Sequence, residues 1–126
     1  MQQYEYTVRV GDMRSTIKML KALSDENRFR IFILLRHKRM CVCEMLRILD
    51  IAGSTLSAHL KILKNSELIK QQKDGRWIEY FLNSKNSEVE KLYEFLDEHL
   101  IVDRTILDRD KNLAETLSRE MCSRGD

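Results

Sequence analysis

The chain has 126 residues, of which 43% are hydrophobic, with four glycines and no proline, so it can form one domain with one core and long uninterrupted helices. No stretch approaches the roughly 18 consecutive apolar residues of a membrane span, and Met1-Gln2-Gln3-Tyr4-Glu5-Tyr6 lacks the basic and apolar regions of a signal peptide, which leads us to expect a cytoplasmic protein. The net charge of +2 is unevenly spread: residues 1–27 are neutral, 28–80 carry +6 and 81–126 carry −4, so the middle of the chain favours a polyanionic partner.

Met13, Ile17, Leu20 and Leu23 recur at helical spacing and predict a first helix over 13–23. Ser24-Asp25-Glu26 reads as an N-cap followed by first-turn acids. Phe29, Phe32, Ile33 and Leu35 make the second helix strongly buried, and it ends in the basic cluster Arg36-His37-Lys38-Arg39. Val42, Met45, Leu46 and Leu49 define a short third helix. After the turn Ile51-Ala52-Gly53, a fourth helix capped by Ser54 turns Leu56, Leu60 and Leu63 inward. A short helix, a tight glycine-containing turn and a second helix read as a helix-turn-helix over about 41–66.

The period then changes. Residues 68–82 alternate about Asp74-Gly75, a strong hairpin signal. With Asp74-Gly75 as the loop, Lys73 faces Arg76, Gln71 faces Ile78, Lys70 faces Glu79 and Ile69 faces Tyr80. Like charges at the tip would be relieved by an external anion such as phosphate, which makes the hairpin a candidate DNA-contacting wing over about 68–82. Val89, Leu92, Tyr93, Leu96 and Leu100 form a further amphipathic helix, and Leu113, Leu117 and Met121 suggest a last one. The apolar stripes of the terminal helices are natural dimer surfaces. The expected architecture is mainly α with a two-stranded β-hairpin. It is a single winged helix-turn-helix domain over 1–126, homodimeric through its terminal helices.

Helical positions advance by about 100°, so Ser54, Ser57, Ala58 and Lys61 share the outer face of the fourth helix, with Thr55 at its edge. That face is small, hydroxylated and basic. Hydroxyls can donate to phosphates or base edges, a methyl can touch thymine, and Lys61 can meet phosphate or guanine. With Lys73 and Arg76 of the hairpin, these are the candidate contacts to double-stranded DNA. His59 falls at the edge of the apolar face and reads as a packed or hydrogen-bonded side chain. No paired-carboxylate, Ser/His/Asp, phosphate-loop or closed metal-site pattern points to an enzyme.

These residues resemble the ArsR/SmtB family of metal-responsive winged-helix repressors. The matching stretch is about 19–82. It includes Met19-Leu20-Lys21-Ala22-Leu23-Ser24-Asp25-Glu26-Asn27-Arg28, Cys41-Val42-Cys43-Glu44, Ser54-Thr55-Leu56-Ser57-Ala58-His59-Leu60-Lys61-Ile62-Leu63 and Gly75-Arg76-Trp77-Ile78-Glu79-Tyr80-Phe81-Leu82. The resemblance implies a homodimer, joined by its first and fifth helices, that binds an operator without metal and leaves it when metal binds. Cys-Val-Cys is similar to the arsenite and cadmium/lead branches. The chain departs from the family in having Leu46 where arsenite members often have a third cysteine, and Ala58 where a larger polar residue is common.

Three cysteines without framework spacing argue for ligands, reactive thiols or packing rather than disulfide staples. Thiolates select soft ions. Cys41 and Cys43 lie roughly 200° apart on an ideal helix, so both can serve one ion only if the helix start is extended or unwinds. By resemblance to arsenite members, As(III) or Sb(III) is the expected inducer and wants three sulfurs. Cys122 is the remaining thiol, and the candidate ligand set is Cys41, Cys43 and Cys122. Cd(II), Pb(II) and Zn(II) stand as alternatives, although residues 1–12 offer no arm cysteine. A thiol redox switch pairing Cys41 or Cys43 with Cys122 is a further alternative. Asp97-Glu98-His99 is similar to the start of the family's interfacial zinc site, but Asp110 and Leu113 stand where its later ligands would be, which implies a degenerate site.

Overall fold

The core is built around α2 (Glu26–His37), in which Ile31, Phe32, Ile33, Leu34 and Leu35 are all buried. Five consecutive buried residues go more than once around a helix, so this stretch must be wrapped by neighbours on all sides, and here it is. The computed structural model describes residues 12–100 and 104–122. The amino-terminal stretch read above for leader features and arm cysteines falls mostly in 1–11, outside the described residues. Around α2 stand α1 (Met13–Ala22), β1 (Met40–Cys41), α3 (Val42–Ile48), α4 (Gly53–Asn65), β2 (Ile69–Asp74), β3 (Trp77–Leu82), α5 (Ser87–His99), α6 (Thr105–Glu115) and a terminal 3-10 turn, Arg119–Cys122. Met45, Leu49, Leu56, Leu63, Leu68, Ile69 and Val89 close the core against it.

Two expected caps move by one or two residues. Asp25, not Ser24, caps α2, its carboxylate accepting from the Arg28 N–H at 3.0 Å. Ser24 instead donates its hydroxyl to Lys21 O at 2.9 Å and finishes α1. Ser54 does not cap α4: the helix starts at Gly53, with Ala52 as N-cap. At the far end of α4, Glu67 adopts φ 67° and the Leu68 N–H reaches back to Leu63 O at 3.1 Å, a Schellman closure built on a non-glycine. A left-handed residue with a Cβ costs about 1–2 kcal/mol, partly offset by the added unfolded-state freedom of glycine. Glu67→Gly should therefore raise stability by about 0.5–1 kcal/mol, measured as an increased denaturant midpoint at unchanged slope.

The sheet has three strands in the order β1-β3-β2, all antiparallel. The added strand is only Met40–Cys41, paired as Met40↔Tyr80 and Cys41↔Glu79. The hairpin register also differs from expectation. The ladder runs Ile69↔Leu82, Lys70↔Phe81, Gln71↔Tyr80, Gln72↔Glu79, Lys73↔Ile78 and Asp74↔Trp77, with Gly75-Arg76 as the loop. Gly75 takes φ +66° and is the only residue of the turn with positive φ. A two-residue hairpin with glycine at its first central position satisfies the strand twist and leaves Asp74 in the ladder. The Lys70/Glu79 and Lys73/Arg76 pairs are therefore not formed. Because the shift is two residues, every side chain keeps its expected face.

The last helix is also different. It ends at Glu115, so of the expected stripe only Leu113 lies in it; Leu117 follows it and Met121 lies in the terminal turn. α6 belongs to the core rather than standing apart from it. Arg30 of α2 grips Asp110 through Nε and Nη2 at 2.8 and 2.9 Å. Lys38 donates to Ala114 O at 2.8 Å and Leu117 O at 2.5 Å, placing a cation at the helix C-terminus where exposed carbonyls favour it.

Candidate nucleic-acid interface and thiol site

Leu56, Leu60 and Leu63 anchor α4 to the core and so fix which of its faces looks outward. Ser54, Thr55, Ser57, Ala58 and Lys61 are all exposed on that face. His59 is turned inward: Arg28 Nη1 lies 3.1 Å from its Nδ1, and Asp25 lies 3.7 Å from its Nε2. It ties the reading helix to the start of α2. Lys73 and Arg76 are exposed on the wing. Arg76 lies with its guanidinium carbon 4.7 Å from the Trp77 ring centroid. Lys64 of α4 donates to Gln71 of β2 at 2.6 Å, which fixes helix and wing as one surface.

The thiols lie against the same wing, in a cavity that Arg76 also lines. Cys41 ends β1 and is the N-cap of α3, in extended conformation with φ −92° and ψ 170°. Cys43 is the second residue of that helix. The pair thus straddles a strand–helix boundary, and the extended start that two-thiol binding would require is already present. Glu44, itself buried, accepts from the Cys41 N–H at 2.9 Å and pairs with Lys38 at 3.2 Å. Burial, with the nearby Glu44 carboxylate adding to it, pushes the Cys41 thiol above its ordinary range.

Contrary to the expectation of no disulfide, Cys122 is paired, and it reaches Cys43, not Cys41. The two are joined in a disulfide across 79 residues with Cα atoms 5.9 Å apart, inside the usual span for such a bond. Cys41 is a free, buried thiol. All three cysteines nevertheless line one cavity of about 250 Å³, closed by Val42, Arg76, Trp77 and Ile78 of α3 and the wing. Among the described residues no three His, Cys, Asp or Glu side chains form a ready-made cation cluster. The site is therefore a bonded pair with a third sulfur on the same wall.

The zinc-like positions are committed elsewhere. Asp97 pairs with Arg104 at 2.7 Å. His99 Nδ1 lies 2.9 Å from Phe95 O, and its ring lies 4.1 Å from that of Phe95. Asp110 is 1% exposed and fully engaged by Arg30.

Comparison with known proteins bears on the fold and the family. The family model described as "Bacterial regulatory protein, arsR family" matches residues 25–71, from the cap of α2 into the wing. The cadmium resistance transcriptional regulatory protein CadC of Listeria innocua is 38% identical over 84 residues, covering 66% of this chain and 69% of that protein. The chain belongs to the ArsR family. The arsenical resistance operon repressor of Bacillus subtilis is 36% identical over 74 residues, 58% of this chain and 70% of that one. Among solved structures, reduced HlyU from Vibrio cholerae superposes with a TM-score of 0.62 at 28% identity, covering 70% of this chain and 90% of that chain. This ArsR-family chain is a winged helix-turn-helix transcriptional regulator, not an enzyme. Among its described residues no helix is long and apolar enough to cross a membrane.

Sequence reasoning missed Arg119. Its Nη1 lies 2.8 Å from Asp74 Oδ2 and 3.0 Å from Glu79 Oε2, and its guanidinium carbon lies 4.4 Å from the Trp77 ring centroid. The partners are 45 and 40 residues away in sequence, so no local pattern announces them. The contacts of Lys38 with the end of α6 were hidden for the same reason, their partners lying 76 and 79 residues away, whereas Glu44 was missed although its partners are local. The available signal for Glu44 was its place three residues after an N-cap, where a carboxylate reaches back to the cap N–H.

Proposed function

We propose that this ArsR-family protein is a repressor that binds operator DNA as a metal-free homodimer and releases it when As(III) or Sb(III) is captured by cysteine thiolates. The observation that carries this reading is the single cavity beneath the wing that Cys41, Cys43 and Cys122 line together. Thiol sulfur is the donor a soft metalloid selects, and a chain with this donor set and no histidine in the cavity fits it. Once Cys43 and Cys122 are reduced, they and Cys41 would hold the ion. Bound there, it supplies a covalent cross-link among thiolates. Cys43 belongs to the helix that supports α4, Cys41 to a strand paired with the wing, and Cys122 to the terminal turn. Drawing the three together pulls on the elements that carry the DNA contacts. Ser54, Thr55, Ser57, Ala58 and Lys61 would enter the major groove, and Lys73 and Arg76 would meet phosphate. The exposed Met13, Ile17 and Leu20, which recur on one side of α1, and Phe95 of α5 support the homodimer as the apolar side chains a second copy would cover.

Relatives are named for cadmium as well as for arsenicals, so Cd(II), Pb(II) and Zn(II) are the competing inducers. A second reading has an observation of its own. The Cys43–Cys122 bond favours a thiol redox switch, in which a hydroperoxide takes two electrons and two protons from the pair and leaves as alcohol and water.

The test is fluorescence anisotropy of reduced protein on its own promoter DNA, under anaerobic conditions, with each ion and peroxide titrated separately. Arsenite should weaken wild-type binding on the order of tenfold to a hundredfold, and Cys43→Ser should abolish the effect. Undiminished release in Cys122→Ser would confine the site to Cys41 and Cys43. Release by Cd(II) but not arsenite would reassign the inducer, and release by peroxide alone would establish the redox reading.

A further inference from the structure

The terminal turn Arg119–Cys122 is held at both ends, by different chemistry. At one end Cys122 is bonded to Cys43 of α3, and the Arg47 side chain donates to Met121 O at 3.5 Å. At the other, Arg119 bridges Asp74 and Glu79 at 2.8 and 3.0 Å and lies against Trp77. Asp74 and Trp77 are the last paired residues before the wing turn. Four residues of chain thus span from the thiol site to the root of the element that carries Arg76.

We propose that Arg119 is the positioning residue through which the state of the thiol site sets the wing. The proposal rests on the reading of the thiols as the sensor and deepens it by naming the route. Three observations support it. Arg119 and Arg76 both lie over the Trp77 ring, 4.4 and 4.7 Å from its centroid, so a shift of Arg119 changes the ring that the tip arginine also rests on. Asp74 and Glu79 are acids on a surface expected to meet phosphates, and Arg119 is their shared counter-charge. Arg39 reaches Glu79 at only 3.6 Å and does not serve Asp74. Finally, Nη1 alone meets both carboxylates while the guanidinium lies over the Trp77 ring, so a lysine could keep the charge pairing but not the planar group against the ring. Moving Cys122 moves Arg119 three residues away, and the wing loses its brace and its charge compensation together.

The experiment compares wild type, Arg119→Gln and Arg119→Lys as full-length proteins, each with the Cys43–Cys122 bond formed and after dithiothreitol. The reductant becomes a cyclic disulfide and returns one hydrogen to each protein sulfur. Thiol titration verifies the state, and circular dichroism verifies the fold. The readouts are operator affinity and the emission maximum of Trp77, the single tryptophan. The wavelength reports solvent exposure and is indifferent to quenching by sulfur. In wild type, the two states should differ at least roughly fivefold in affinity and should differ in emission maximum. In Arg119→Gln both differences should nearly vanish while the thiols still open and close, and Arg119→Lys should be intermediate. Wild-type-sized differences in Arg119→Gln would overturn the route through Arg119 but leave the thiols as sensor. A wild type in which neither readout responds to reduction would overturn the route, and failure of arsenite to release the reduced protein in the anaerobic titration above would overturn the thiol reading with it.

Discussion

Replacing Asp110 with alanine should cost about 3–5 kcal/mol of folding stability, the range for removing one partner of a buried ion pair. Asp110 is 1% exposed and takes two hydrogen bonds from Arg30, whose side chain is itself only 13% exposed. The substitution strands that guanidinium against the core. It also frees α6 from α2, and with it the segment leading to Cys122. Thermal unfolding followed by circular dichroism measures the loss. A drop below about 1 kcal/mol, the usual value of exposed pairs, would mean that Arg30 finds solvent and that α6 is only loosely seated. The same result bears on metal binding: a carboxylate this firmly engaged is not available to zinc, so zinc should not raise the melting temperature through it.

The second large effect is on DNA. Removing Lys61, Lys73 and Arg76 together should flatten the dependence of operator affinity on salt. Each phosphate contact contributes about 0.9 to the slope of log affinity against log salt. In a dimer two copies lose three contacts each, so the slope should become shallower by roughly 5, with affinity falling for operator and unrelated duplex alike. The measurement is anisotropy across a salt series. An unchanged slope would place the phosphate contacts elsewhere on the basic middle of the chain. If instead Arg76 reads a base edge, specific binding would fall more than nonspecific binding.

Local patterning was enough to find the reading unit. Val42, Met45 and Leu49 announce α3, Leu56, Leu60 and Leu63 announce α4, and Asp74-Gly75 announces a hairpin, because each signal lies within a few residues of its neighbours. What stayed hidden depends on distant partners. A strand of two residues, Met40–Cys41, has no period to detect, yet it is what sets Cys41 against the wing. The choice of Gly75-Arg76 over Asp74-Gly75 as the loop follows from which residue takes positive φ, and both pairs fit the composition. Arg30–Asp110 and Lys38 with the end of α6 join residues 76 to 80 positions apart, so the internal docking of α6 had no local trace. At the thiol site, residue type suggested three sulfurs. Which of Cys41 and Cys43 meets Cys122 depended on where α3 begins.

That pairing lies within one chain. Cys43, Cys122, Arg119 and the wing they adjoin come within reach of one another without a second subunit. An inducer site assembled across a two-fold axis would switch both halves of a dimer at once. A site assembled within each protomer acts first on its own half-operator. If the proposed inducer site is complete within each protomer, the dose response should be graded, with a Hill coefficient near one, and a dimer carrying one intact and one cysteine-free subunit should still respond with half its DNA contacts.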